Sequence, residues 1–136
     1  MKLLLFHVDR FSAQAFLKTS ESGLAEASDI AVHEALIAFI HSEPKDEETP
    51  GKARTKAVKQ IKWLARKCAV GHIVLHSFAH LAEQKSSADF AAATLEHLAQ
   101  RLAGTGFTVD MTPFGYSCSW DISVRGEPIA KHFVSI

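Results

Sequence analysis

Three histidines, His72, His76 and His80, follow one another at intervals of four. On a helix, side chains four apart share a face and could hold one metal ion. The apolar run Ile73-Val74-Leu75 between the first two predicts a strand instead. On a strand, four residues span about 13 Å, too far for one ion held through bonds of about 2 Å. No metal is therefore expected. His80 remains a candidate by itself. It lies in Phe78-Ala79-His80-Leu81, just past the strand and before a helix, and open α/β sheets place ligands at such strand ends. A neutral imidazole there can orient a water or read a hydroxyl; the plainer alternative is a histidine with an ordinary hydrogen bond.

Cys118 falls on the apolar side of an alternating segment, where a cysteine behaves as a small hydrophobe. A nucleophilic role would need a base and a lowered pKa, and no sequence neighbour supplies either. Cys68 falls on the inward side of a helix. That helix, residues 50–68, carries chemistry on its other side. Lys52, Lys56, Lys59, Arg66 and Lys67 fall within about 60° of one direction, with Trp63 among them. Eight of the 15 basic residues lie between Lys45 and Lys67. The patch is a solvated face, a phosphate-tracking surface with one stacking aromatic, or a dimer contact through Trp63. The chain has no Gly-rich phosphate loop, no nucleophile elbow and no Cys-x-x-Cys pair, so no cofactor is expected.

The elements that must position these groups follow from periodicity. Residues 3–8, 36–41, 73–76 and 107–111 read as strands. Residues 50–68 form a helix with Val58, Ile61, Leu64, Ala65 and Cys68 inward, Thr49 as N-cap and Pro50 in its first turn. A second helix, capped by Ser86 or Ser87, runs to about Ala103 with Phe90, Leu95, Leu98 and Leu102 inward and is ended by Gly104 and Gly106. Tyr116, Cys118, Trp120, Ile122 and Val124 alternate with polar residues and define an inward strand face. Residues 129–134 are expected to pair with it as a C-terminal hairpin. Residues 11–30 read as loop with a short helix, and residues 42–51 as an exposed loop. The intermixing predicts an α/β fold, a mixed β-sheet with helices packed on it.

At 136 residues, one domain spanning 1–136 is expected. Apolar residues are 47% and charged residues 22%, ordinary globular values. Basic and acidic residues number 15 each, which excludes nucleic-acid binding by bulk charge though not by a local patch. No apolar run approaches the roughly 20 residues of a membrane span, and the opening apolar stretch is too short for a signal sequence. Two cysteines make no disulfide framework, so a cytoplasmic location is expected.

Three segments together resemble the editing domain at the N-terminus of archaeal-type threonyl-tRNA synthetases. They are Leu3 to Asp9, with its His7-Val8-Asp9; Val74 to Leu81, similar to a strand ending in Pro-Phe-Ala-His-Leu; and Pro113-Phe114-Gly115-Tyr116 followed by Ile122 to Ala130. The similarity runs nearly end to end. It implies a D-aminoacyl-tRNA deacylase-like fold, a homodimer, and hydrolysis of seryl-tRNA wrongly made for threonine. One methyl group is worth about 1–3 kcal/mol in a pocket, too little for accurate decoding, and a second site can exclude the larger threonine.

Carried over by position, the resemblance makes His80 the active-site histidine. It lines the cleft with Phe78 and Ala79, and makes Phe114, Gly115 and Tyr116 the facing wall. The family's catalytic lysine falls on Cys118, its preceding tyrosine on Ser117, its strand-end proline on Ser77 and its glutamate on Lys131. A compensating cation from Lys131 is the resulting expectation, with loss of deacylation in Lys131→Ala. Lys52, Lys56, Lys59 and Trp63 would contact tRNA phosphates. The chain has no room for an aminoacylation domain, so a trans-acting editor is expected, with the tRNA acceptor end and a threonyl-tRNA synthetase as partners. The alternatives are a catalytically degenerate aminoacyl-tRNA or nucleoside binding module and a D-aminoacyl-tRNA deacylase.

Overall fold

The structure is a computed structural model that describes residues 1–21 and 27–136. In chain order the elements are β1 (Lys2–Lys18), β2 (Ile30–His41), α1 (Pro44–Glu48), α2 (Pro50–Lys67), β3 (His72–Ser77), α3 (Ala88–Ala103), β4 (Thr108–Met111), β5 (Tyr116–Val124) and β6 (Lys131–Ser135), with a 3-10 turn at Pro128–Ala130. The strands form a single mixed sheet ordered β4-β3-β2-β1-β5, with β6 also on β1. β2, β3 and β4 are parallel, and α2 and α3 make the two crossovers between them. This is the expected α/β architecture.

Both crossover helices pack on one face of the sheet. The apolar stripe of α2 (Val58, Ile61, Leu64, Ala65) and that of α3 (Leu95, Leu98, Leu102) bury against Leu3, Leu5, Leu36, Ile73 and Leu75. Ala53 and Ala57 let α2 approach closely, while Cys68 is only partly buried at its end. At the edge of this core the α-ammonium of Met1 is buried between Glu43 (2.7 Å) and Asp46 (2.9 Å). Burial pulls the Glu43 carboxyl upward, but the hydrogen bond and charge of that ammonium, with Lys2 and Lys45, hold it below its usual range.

The opposite face has a separate core of Val8, Phe11, Ala13, Val32, Ala35, Ile37, Phe39 and Val74, all from strands. The β1–β2 ribbon covers it by bending over. Trp120 lies in register with Ala13, and Phe39 with Leu4, nine positions away along β1. A straight strand would part them by about 30 Å, yet their ring centroids are 5.1 Å apart. The bend sits where inward spacing slips by one, from Val8 to Phe11 on β1 and from Ala35 to Val32 on β2. The β1–β5 register shifts between Val8 and Arg10, and Glu34 takes a left-handed backbone with φ 49°. A bulge adds twist and turns a strand.

Four expectations are corrected. Residues 11–18 are strand rather than loop, because the bulge breaks the alternation without ending the pairing; residues 22–26, also within that expected loop, lie outside the described residues. Residues 44–48 form a short helix, because Asp46 turns inward to the Met1 ammonium and accepts from the Glu43 backbone N–H at 2.7 Å. Thr49 makes no side-chain cap, although Pro50 does open α2. There is no C-terminal hairpin. β6 pairs with Lys2 to Phe6 of β1, end to end with β5 on the same edge, since the turn at Pro128–Ala130 carries the chain past β5.

Candidate active site

The parallel strands β2 and β3 end at one side of the sheet, and the bent ribbon brings the start of β5 opposite them. Between them opens a cleft of about 680 Å³. Phe78, Ala79 and His80 line one wall; Phe114, Gly115, Tyr116, Ser117 and Cys118 line the other. The fold thus brings together the two segments that the sequence keeps more than thirty positions apart. Trp120 stands in the wall, 39% exposed, and does not close the cleft. With Ile122 at 37% exposed, the inward side of β5 is only half covered, since its N-terminal part faces the cleft rather than a core.

The His80 wall is pinned from behind. Phe78 N–H donates to Ile40 O at 2.9 Å and Ser86 N–H to Ser42 O at 2.9 Å. Between them, buried His41 accepts from Leu81 N–H at Nδ1 (3.1 Å) and donates from Nε2 to Gln84 O (2.7 Å). Those two bonds fix its neutral tautomer. Ser87 caps α3 by accepting from Phe90 N–H and donates its hydroxyl to Glu47. His80 itself is exposed at the wall, its ring edge-on to Phe78 at 5.1 Å, and no described residue hydrogen-bonds its imidazole. An imidazole so placed is free to engage a ligand.

The facing wall depends on Gly115, whose φ of 81° is a conformation side chains disfavour. Its carbonyl accepts from Thr19 N–H (2.7 Å) and Ser20 N–H (3.2 Å), which ties the wall to the end of β1. Beneath both walls lies His76, buried among Phe39, Phe78 and Trp120, with Nδ1 and the Thr112 hydroxyl sharing a 2.6 Å hydrogen bond. Burial lowers its pKa to about 4, so it is neutral at physiological pH. His72 instead pairs with Asp110 at 2.6 Å at the start of the strand.

The family model described as the archaea-specific editing domain of threonyl-tRNA synthetase matches residues 1–136. The chain belongs to that editing-domain family. It is 31% identical over 134 residues to the threonine–tRNA ligase of Thermococcus onnurineus, 33% over 133 residues to that of Methanosphaera stadtmanae and 32% over 131 residues to that of Methanocaldococcus jannaschii. Each match covers 96% of this chain and 21–22% of the relative, so the chain spans about a fifth of the length of these ligases. A solved structure of the c-Myc DNA unwinding element binding protein superposes over 100% of this chain and 99% of its own, with TM-score 0.71 and 11% identity. That likeness concerns fold alone, and the fold is D-aminoacyl-tRNA deacylase-like. Family membership supports aminoacyl-tRNA editing in general terms.

Against the editing-domain pattern the two substituted positions behave differently. Cys118 does line the cleft. Burial, with the charge of Asp29, raises its pKa, so the thiol is neutral and replaces neither a cation nor a thiolate nucleophile. Lys131 does not line the cleft. Its ammonium donates to Arg125 O at 2.9 Å on the outer edge of the sheet, because β6 pairs with β1. This geometry therefore gives the expected compensation from Lys131 no support; among the described residues the lysine that lines the cleft is Lys85. His7-Val8-Asp9 and Arg125-Gly126-Glu127 also lie away from the cleft. The Arg125 guanidinium donates to Asp9 (3.1 Å) and Glu127 (2.9 Å), and its hydrogen bond lowers the Glu127 carboxyl to about 2.

On α2, Lys59, Trp63, Arg66 and Lys67 line a shallow notch with Lys62, and Trp63 leans on His132 at 5.4 Å. Lys52 and Lys56 are exposed nearer the N-terminus of the same helix. His41 and Lys85 had no sequence signal as site residues, and His76 stood out only in the four-residue histidine series; each is placed by the bend or by long-range pairing. No helix among the described residues is long and apolar enough to cross a membrane.

Proposed function

We propose that the chain is a trans-acting aminoacyl-tRNA deacylase that hydrolyses the ester of mischarged tRNA, seryl-tRNA made for threonine before others. The observation that carries this reading is the open cleft in which the free imidazole of His80 faces the Phe114–Ser117 wall. The terminal adenosine rests on main chain and on Phe78, Ala79, Phe114, Gly115 and Tyr116, with Ser117 at the mouth. A water oriented by His80 and the free ribose hydroxyl attacks the ester carbonyl. The carbon–oxygen bond to the ribose breaks, the ribose oxygen takes a proton, and amino acid and tRNA leave. An aminoacyl ester is already activated, so positioned water and donors to the developing oxyanion carry most of the work.

The tRNA stem runs along α2, where Lys52, Lys56, Lys59 and Trp63 meet phosphates and one base. Lys52 to Lys67 covers roughly 22 Å of helix. The active form is a homodimer in the cytoplasm, working on tRNA released by a threonyl-tRNA synthetase.

A second reading, a binding module without hydrolysis, is favoured by the neutral thiol at Cys118 and by Lys131 lying outside the cleft. The experiment is release of amino acid from seryl-, threonyl- and D-aminoacyl-tRNA, by the wild type and by His80→Ala. Release from seryl-tRNA alone, lost in the variant, is the expected result. Preferred cleavage of D-aminoacyl esters would reassign the substrate, and tRNA binding with no release from any of the three would select the module.

A further inference from the structure

Of the described residues that line the cleft, none is Asp, Glu or Arg, and the single lysine is Lys85. Among its described lining residues the cleft therefore presents one fixed cation and no carboxylate, with the Asp29 charge acting on Cys118 at the opposite wall. Lys85 forms no ion pair or hydrogen bond among the described residues. Its backbone, in contrast, is held on both sides. Gln84 O accepts from His41 Nε2, and Ser86 N–H donates to Ser42 O. An unpartnered ammonium on an anchored rim, beside the hydroxyl-bearing Ser42 and Ser86, is suited to an anion that enters from solvent. Lys85 is exposed at the mouth, whereas His76 and Thr112 lie at the floor. The rim position fits a group that trails the terminal nucleoside rather than the ester itself.

We propose that Lys85 binds the phosphodiester joining the terminal adenosine to the nucleotide before it. This rests on the reading that places that adenosine in the cleft. The ligand class is thus an oligonucleotide 3′ end, and Lys85 acts on binding, leaving the chemical step to others.

The test is titration of the wild type, Lys85→Ala and Lys85→Arg with the trinucleotide CpCpA and with adenosine. The expected result is that Lys85→Ala weakens CpCpA about tenfold, lowers the slope of log affinity against log salt by about 0.7, and leaves adenosine unchanged, while Lys85→Arg keeps most of the affinity. With aminoacyl-tRNA, Lys85→Ala raises KM and leaves kcat near the wild-type value. CpCpA binding unchanged in Lys85→Ala, adenosine lost along with it, wild-type binding of CpCpA no tighter than adenosine, or a fall in kcat alone would each overturn the proposal. Absence of ester hydrolysis by the wild type, with the CpCpA pattern intact, would overturn the deacylase reading and leave the phosphate site standing.

Discussion

The two faces of the sheet are built from different materials. Under α2 and α3 the fully buried core is aliphatic and alanine-rich, with Phe107 and Phe114 only at its margin. Across the sheet, Phe39 makes edge contacts with Phe6, His76, Phe78 and Trp120, and this cluster runs without a break into the cleft wall. The helix-side core fixes the fold, and the aromatic core fixes where His80 and β5 stand. Aromatic rings suit the second task because edge-to-face pairs set orientation as well as burial.

Paired substitutions test this division. Phe39→Ala should cost about 3–5 kcal/mol and Ile61→Ala about 2–5 kcal/mol of stability by chemical denaturation. The milder Phe39→Leu and Ile61→Val, each still folded, separate the roles. Ester hydrolysis per folded molecule should fall in the first and hold in the second, and equal kcat values would break the comparison. Asp46→Ala, at the edge of the helix-side core, should cost about 3 kcal/mol, because it strips one of two carboxylates from a buried ammonium. Its expected signature is a lowered denaturation midpoint with the affinity for CpCpA unaltered.

Acid sharpens the contrast from the other face. Unfolded His76 takes up a proton near its ordinary value of 6.5, while the folded chain resists doing so down to about pH 4, because of burial. Between those values the unfolded state holds more protons, so stability falls as pH drops through that window, by up to about 3 kcal/mol. Denaturation midpoints measured from pH 7 to 4 should show this slope, and His76→Gln should flatten it. The smallest effect is at the α3 cap. Ser87→Ala should cost about 1 kcal/mol, read as a small drop in thermal midpoint.

Local pattern carried much of the architecture. The 3.6-residue stripe of α2, the serine cap of α3, and the strands at β3, β4 and β5 all read directly, because amphipathic periods and caps are near-neighbour effects. The long ribbon did not read. Val8, Phe11 and Ala13 break a two-residue period at a bulge, and a bulge looks like a strand end when its partner strand is unseen. Helix α1 was hidden for a similar reason: its inward Asp46 is explained only by an ammonium 45 positions away.

For the site, the sequence by itself determined the residue types: a histidine after a strand, a Gly-centred turn, a cysteine at 118 and a lysine at 131. Tertiary structure decided which of them meet. It set Cys118 in the cleft as a neutral thiol, sent Lys131 to the outer edge through β6 pairing, and brought Lys85 to the rim through bonds from His41 and Ser42. The physical reason is that charge state and reach depend on burial and on which strand ends converge. Here the bend in β1 and β2 brings Cys118 to the cleft, while β6 pairing and the bonds to His41 and Ser42 place the two lysines, all long-range events with no local sequence period to announce them.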